Sequence, residues 1–191
     1  MGRKDMQIIR SNRRTISLEI TQQGQINVRA PRYMSEAEIR TFVESKSSWL
    51  EKHLQKRQED INFSQAEGEF TEQEIERVLK FAKQVIPEKV AYYARLMGVT
   101  YGRISIRKQK TRWGSCSREG NLNFNCLLMM APPEVLDYVV VHELSHRLEM
   151  NHSVRFWAQV EKVLPDYRTQ RKWLKEHGNQ LMLRMQGVFN N

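Results

Sequence analysis

The segment from Pro132 to Leu148 limits the possible folds of this chain more narrowly than any other segment. Pro132 and Pro133 open it, and proline is well tolerated at the first positions of a helix. Apolar residues then recur at helical spacing, at Leu136, Val139, Val140, Leu144 and Leu148. This pattern predicts a helix with one face in a hydrophobic core.

The same predicted helix carries His142-Glu143-Leu144-Ser145-His146, an H-E-x-x-H motif. Histidines four residues apart project from one helix face, so their imidazoles can bind a single Zn²⁺ ion. Glu143 follows the first histidine directly, where it can flank the metal without binding it and take a proton from a zinc-activated water. The motif therefore predicts a metal-dependent hydrolytic site.

A third protein ligand is common in catalytic zinc sites, and His152 is the first candidate. Five residues separate it from His146, so a continuous helix would point it away from the other two histidines. A helix end near residues 150–151, with Ser153 as the N-cap of the next helix, would bring it back. A carboxylate further along the chain, first of all Glu161, is the alternative ligand.

The N-terminal region shows strand periodicity followed by helix periodicity. Alternating apolar and polar residues at 7–10, 15–20 and 25–30 predict a small antiparallel sheet of two or three short strands. Ser35 and Glu38 form a capping-box pattern at the start of a helix that is expected to reach about Glu59. Residues 60–70 lack clear periodicity and are the predicted linker. The expected regions are therefore residues 1–66 and 71–191.

The C-terminal region alternates helix and strand patterns. Thr71 and Glu74 predict another capped helix, which should be kinked or restarted by Pro87 and should end near Gly98. Strands are predicted at residues 102–107 and 121–126, with a loop over residues 108–120 between them. After the H-E-x-x-H helix, further helices are predicted at residues 153–163 and 165–177.

The charge distribution and the cysteine content indicate the possible binding partners and the cellular location of the protein. The net charge is +9, and residues 89–118 hold eight Lys or Arg residues and no Asp or Glu. Such a stretch predicts weak, non-specific nucleic-acid binding, with a solvated basic surface as the alternative. No apolar run is long enough to span a membrane, and the polar residues 1–5 lead into no secretory signal. With Cys116 and Cys126 forming no disulfide framework, a cytoplasmic location is expected.

Several further motifs surround this site in the sequence. They are Arg112-Trp113-Gly114-Ser115-Cys116, residues 123–127, residues 140–146, Asn151-His152-Ser153, Phe156-Trp157 and, near the N-terminus, residues 14–20 and 28–31. Together they resemble the YgjP-like metallopeptidase-domain family, which is a zincin family related to SprT-like proteases. The resemblance implies an α+β zincin-like fold. It also implies that His142, His146 and His152 are zinc ligands and that Glu143 is the catalytic acid/base.

The resemblance to zincins also suggests where a substrate binds. In zincins a strand lines the cleft and pairs with an extended peptide, and residues 121–126 are the candidate strand, with Asn123 and Asn125 as candidate contacts. An ordinary half-buried strand is an equal alternative. Arg112 and Trp113 are candidate substrate contacts in the preceding loop, although a hydrophobic plug is the favoured role for Trp113.

These features predict a zinc metallopeptidase that cleaves peptide bonds with a zinc-activated water and Glu143 as general base. One alternative is a nucleic-acid-binding module in which the zinc is structural, and another is a protease brought to nucleic acid by its basic stretch. Structural zinc sites usually have four protein ligands and many cysteines. The histidine at position 152, without an evident fourth ligand, favours catalysis.

Overall fold

The structure is a computed structural model, and it describes residues 6–21 and 24–189. The described residues form helices and two three-stranded sheets, so the predicted α+β class is confirmed. Residues 1–5, on which the expectation of no secretory signal partly rests, lie outside them. The chain divides into two compact units, residues 1–62 and 63–191. The division into domains at residues 66–71 stays a prediction.

The N-terminal sheet contains β1 (Met6–Ser11), β2 (Ser17–Ile20) and β3 (Ile26–Pro31). The strand β3 lies in the centre of the sheet, between β1 and β2, and its side chains are largely buried whereas those of β1 are largely exposed. It pairs antiparallel with β2 but parallel with β1. The prediction of a purely antiparallel sheet was therefore wrong for β1, since alternation marks a strand without fixing its direction.

Two helices follow this sheet where the sequence predicted one. Helix α1 (Glu36–Glu44) begins with the predicted capping box of Ser35 and Glu38, and α2 (Ser47–Glu67) begins after a short break. The prediction of a linker from residue 60 was wrong, because α2 continues to Glu67. This stretch lacks a regular apolar stripe, but pairs one turn apart support the helix, such as Gln58 Nε2 with Asn62 Oδ1 at 2.9 Å.

The first helix that lies wholly within the C-terminal unit is α3 (Glu72–Met97), which has the predicted capping box at Thr71. The helix continues through Pro87, so the expected restart there is absent. It ends at Gly98, whose φ of +67° is the left-handed conformation that glycine adopts easily. The buried face of α3 packs on a short 3₁₀ helix, Cys126–Met130, and on the H-E-x-x-H helix, and this contact forms much of the core.

The second sheet contains β4 (Ile104–Arg107), β5 (Gly114–Cys116) and β6 (Leu122–Asn125). Its order is β4–β6–β5, with β4 parallel and β5 antiparallel to β6. The strands β4 and β6 were predicted, whereas β5 lies inside the predicted loop. Because β6 has a partner on each side, β5 and β4 are the edges of this sheet.

Three α-helices follow, α4 (Pro133–Ser145), α5 (Val154–Val163) and α6 (Tyr167–Arg184), and a short 3₁₀ helix, Gln186–Phe189, ends the described residues. Helix α4 begins at the predicted proline pair, and α6 extends about two turns past its predicted end. Within residues 6–21 and 24–189, no helix is both long and apolar enough to cross a membrane.

Candidate active site

Helix α4 places the H-E-x-x-H motif at its C-terminal end. Its buried side chains, including Val140, Val141 and Leu144, hold it in the core. The helix ends at Ser145, and the amides of Leu148 and Glu149 both donate to the Ser145 carbonyl as the chain turns. This end comes about five residues earlier than the sequence suggested.

The early end of α4 brings His152 back to the motif. Ser153 is the N-cap of α5, and its hydroxyl accepts a hydrogen bond from the Phe156 amide. One possible ligand atom from each of His142, His146 and His152 lies within 4.8 Å of the others. The Nε2 atoms of His142 and His152 are 3.0 Å apart, so these two rings direct the same nitrogen at a common point.

The protonation of this histidine cluster suits a metal ion. His146 Nδ1 lies 3.2 Å from the Glu149 carbonyl, which can only accept, so Nδ1 carries the proton and Nε2 keeps its lone pair. Burial, reinforced by the other two histidines, lowers the pKa of His142 to about 3. Burial also lowers the pKa of His146. Neutral imidazoles are the form that binds metal, so no proton has to be displaced from His142 or His146 at neutral pH.

The spacing of the cluster also fits zinc. Two nitrogen ligands on a tetrahedral zinc ion, with bonds of about 2.05 Å, lie about 3.3 Å apart. The 3.0 Å between His142 and His152 is close to this value and needs only a small adjustment. His142 and His152 therefore fit two positions around a zinc ion, and a ligand atom of His146, within 4.8 Å of both, can supply a third.

Glu143 lies beside the histidine cluster but is not part of it. Its side chain is 5% exposed, and burial raises its pKa to about 8. It packs against Gly114 on β5, where an ideal Cβ atom would lie 2.6 Å from Glu143 Oε1. A metal ion close by would favour the carboxylate and lower this pKa.

The histidines and Glu143 open into a cavity of about 290 Å³. Its lining residues are Arg112, Gly114, Ser115, Cys116, His142, Glu143, His146, Met150 and His152. All three residues of β5 are among them, and β5 is an edge strand. The prediction that residues 121–126 line the cleft as a pairing strand was wrong, because β6 is paired on both sides.

The two asparagines predicted to contact substrate have internal partners. Asn125 is fully buried, and its Nδ2 donates to the carbonyls of Gln109, at 2.8 Å, and Arg112, at 3.1 Å. Half-buried Asn123 donates from Nδ2 to Ser115 Oγ at 3.2 Å. In the structure, Asn125 therefore ties the loop before β5 to the sheet, and Asn123 links β6 to β5.

Arg112 and Trp113, the two loop residues predicted to contact substrate, lie in different environments in the structure. The ring of Trp113 packs against the core, and it faces Gly178 of α6 so closely that an ideal Cβ there would lie 3.0 Å from the ring. This is the hydrophobic-plug role that the sequence favoured. Arg112, by contrast, lines the cavity.

Aromatic side chains surround the histidines. The sequence pattern predicted these aromatic residues only as part of the hydrophobic core. Phe156 is fully buried, with ring centroids 4.6–4.9 Å from those of all three histidines. Trp157 stacks on His152 at 5.8 Å and on Tyr167 at 5.4 Å. These rings pack around the imidazoles, and the signal in the sequence was the position of Phe156 and Trp157 just after the Ser153 cap.

The alternative third ligand lies apart from the cluster. Glu161 is exposed and pairs with Arg168, with Arg168 Nη2 3.3 Å from Glu161 Oε1. Cys116 lines the cavity, and burial raises the pKa of its thiol. Within the described part of the chain, the candidate metal cluster consists of the three histidines alone.

Acidic side chains from elsewhere in the same unit partly neutralise the basic stretch of residues 89–118. Lys89 pairs with Asp137 at 2.8 Å, and Lys108 pairs with Glu76 at 2.6 Å. The amino group of Lys110 lies 4.7 Å from the ring centroid of Phe189. Nucleic-acid binding by this stretch stays a prediction.

Comparison with known proteins defines the class of this chain. A family model of a metallopeptidase domain matches residues 14–79 and 64–177, which together cover most of the chain. That model is the YgjP-like one, so the chain belongs to the YgjP-like metallopeptidase-domain family, and the resemblance found in the sequence is confirmed. Membership implies a catalytic metal and peptide substrates.

Two solved structures share more distant similarity. The metallopeptidase zymogen of Pyrococcus abyssi abylysin has 23% identity and a TM-score of 0.43, covering 48% of this chain and 94% of that one. The metallopeptidase zymogen of Methanocaldococcus jannaschii jannalysin has 20% identity and a TM-score of 0.39, covering 44% of this chain and 91% of that one. No curated protein has a sequence that matches significantly.

Proposed function

We propose that this protein is a zinc-dependent metallopeptidase in which His142, His146 and His152 hold the zinc and Glu143 is the general base. The observation that carries the proposal is the placement of three converging imidazoles and one buried carboxyl group in the same small cavity. A bound zinc ion would supply Lewis acidity, polarising the scissile carbonyl and making water more acidic.

Glu143 moves the protons. Its carboxylate takes a proton from the attacking water and later delivers it to the leaving amine. Burial supports this role, because a carboxyl group with few water neighbours binds a proton more readily than an exposed one. Its position one residue after His142 keeps it beside the metal ligands through the rigid backbone of α4.

The edge strand β5 is the candidate platform for an extended peptide. Its residues line the cavity, and among the described residues no strand pairs with it on the side away from β6. Main-chain pairing of this kind binds many sequences, which suits a peptidase. In this proposal β5 takes the role that the sequence assigned to residues 121–126.

A purely structural zinc site is less well supported. Structural sites are normally closed by a fourth protein ligand, and neither Cys116 nor Glu143 belongs to the histidine cluster of the described residues. A cluster with three ligands that opens into a cavity is the arrangement expected for catalysis.

Metal analysis joined to a cleavage assay tests the proposal. The purified protein should contain about one zinc ion per chain and should cleave an unfolded protein substrate. A chelator should abolish cleavage, and added zinc should restore it. Zinc binding without cleavage of any peptide would contradict the peptidase assignment, and cleavage that survives complete zinc removal would contradict the role of the metal.

A further inference from the structure

Arg112 is the one cationic side chain that lines the cavity within the described residues. In that part of the chain, its guanidinium makes no hydrogen bond and no ion pair. Other arginines near the site are engaged: Arg147 donates to the carbonyls of Thr100 and Arg118, and Arg155 pairs with Glu149. Arg112 therefore keeps all its donors for a ligand.

The backbone beneath Arg112 is held in place although its side chain is exposed. Asn125 Nδ2 donates to the Arg112 carbonyl at 3.1 Å, and the Asn125 amide donates to the Trp113 carbonyl at 2.9 Å. The ring of Trp113 is in turn packed against Gly178. A guanidinium on a fixed backbone loses less conformational freedom on binding than one on a mobile loop.

The charge of the cavity favours an anionic group. Glu143 is the only carboxyl group that lines it in the described part of the chain. Arg112 and a bound metal would both add positive charge. A small cavity lined mainly by charges of one sign attracts ligands that carry the opposite charge.

We propose that Arg112 determines specificity by binding a carboxylate of the peptide substrate next to the scissile bond. Planar guanidinium groups match carboxylates in bidentate geometry. Since Arg112 and the histidines share one cavity of about 290 Å³, the carboxylate belongs to a residue close to the bond that is cut. The inference rests on the proposed peptidase function and narrows its substrate class to peptides with a C-terminal carboxylate or an acidic side chain at that position.

Three short peptides distinguish these sources: N-acetyl-Ala-Ala-Ala amide, the same peptide with a free C-terminus, and N-acetyl-Ala-Glu-Ala amide. Binding is measured by the fluorescence of the tryptophans, of which Trp113 follows Arg112 directly and Trp157 contacts His152. The zinc-loaded Glu143→Gln variant serves as the background, so that the peptides stay intact. At least one carboxylate peptide should bind about tenfold more tightly than the neutral peptide.

Arg112→Gln in this background should remove the preference, so that the carboxylate peptides and the neutral peptide bind with equal affinity. Arg103→Gln is the matched control, because Arg103 is an exposed arginine outside the cavity and should retain the preference. A preference for carboxylate peptides that survives in Arg112→Gln would indicate that the metal binds the carboxylate, and it would overturn the inference. Equal binding of all three peptides to the background protein would overturn it as well.

The binding readout separates this inference from the proposed function. The titration is repeated on the metal-free protein, where the contribution of Arg112 should persist and should weaken as salt is added. If the wild-type protein cleaves no peptide but the preference depends on Arg112, the peptidase proposal fails and the carboxylate site stands. If peptides are cleaved but the carboxylate preference does not depend on Arg112, the carboxylate site is refuted and the peptidase proposal stands.

Discussion

Gly114 on β5 leaves the space in which the carboxyl group of Glu143 lies. An ideal Cβ atom on Gly114 would come within 2.6 Å of Glu143 Oε1 and 2.8 Å of Glu143 Cγ. Both contacts are shorter than carbon and oxygen atoms tolerate. The edge strand and the proposed general base are therefore fitted to each other at this point.

Gly114→Ala should displace the Glu143 carboxyl group and lower the rate of peptide cleavage by about a hundredfold, the effect of misplacing a reacting group by roughly 1 Å. The three atoms nearest to the added Cβ all belong to Glu143 and not to a histidine, so zinc content should be unchanged. Gly102→Ala is the control: it crowds Asn121 in the same unit and should keep near-normal activity. Full activity in Gly114→Ala would show that Glu143 has more freedom than its packing indicates.

The two asparagines of β6 should differ strongly in their effect on stability. Asn125→Ala leaves the carbonyls of Gln109 and Arg112 without their buried donor, so the free energy of unfolding should fall by about 3 kcal/mol. Asn123→Ala removes one half-buried hydrogen bond to Ser115 and should cost about 1 kcal/mol or less. Urea unfolding of both variants measures the difference, and equal losses would contradict the assigned role of Asn125.

His152→Ala should weaken zinc binding by about a hundredfold or more. Loss of a residue that only hydrogen-bonds to a metal ligand already lowers metal affinity by about 10- to 100-fold. Loss of a ligand itself should lower the affinity by at least the upper value. Glu161→Ala is the comparison, because Glu161 pairs with Arg168 outside the cluster and should bind zinc normally. Competition with a metal indicator measures both affinities, and the reverse order would identify Glu161 as the third ligand.

The sequence located most elements and the proposed metal site because each has a local signal. Capping boxes at Ser35 and Thr71 marked the starts of α1 and α3, and Gly98 marked the end of α3. The four-residue spacing of His142 and His146 follows from helix geometry alone. His152 could be named because Ser153 is a recognisable N-cap that restarts the helix.

What the sequence could not indicate depends on partners distant in the chain. The three residues of β5 are too few for an alternating pattern, so the strand is defined only by its pairing with β6. The burial of Asn125 follows from α6, since its Nδ2 lies 3.5 Å from Met182 Sδ. The parallel direction of β1 likewise depends on β3, where Ile8 lies opposite Val28.

The most direct test of the central claim compares the wild-type protein with Glu143→Gln at equal zinc content. Glutamine keeps the shape of the buried side chain but cannot accept a proton, so the variant should fold, bind one zinc ion per chain and lose peptide cleavage by about 10²–10⁴-fold. Cleavage of an unfolded protein substrate, with zinc measured on the same samples, gives the result. Near-normal cleavage by zinc-loaded Glu143→Gln would contradict the account.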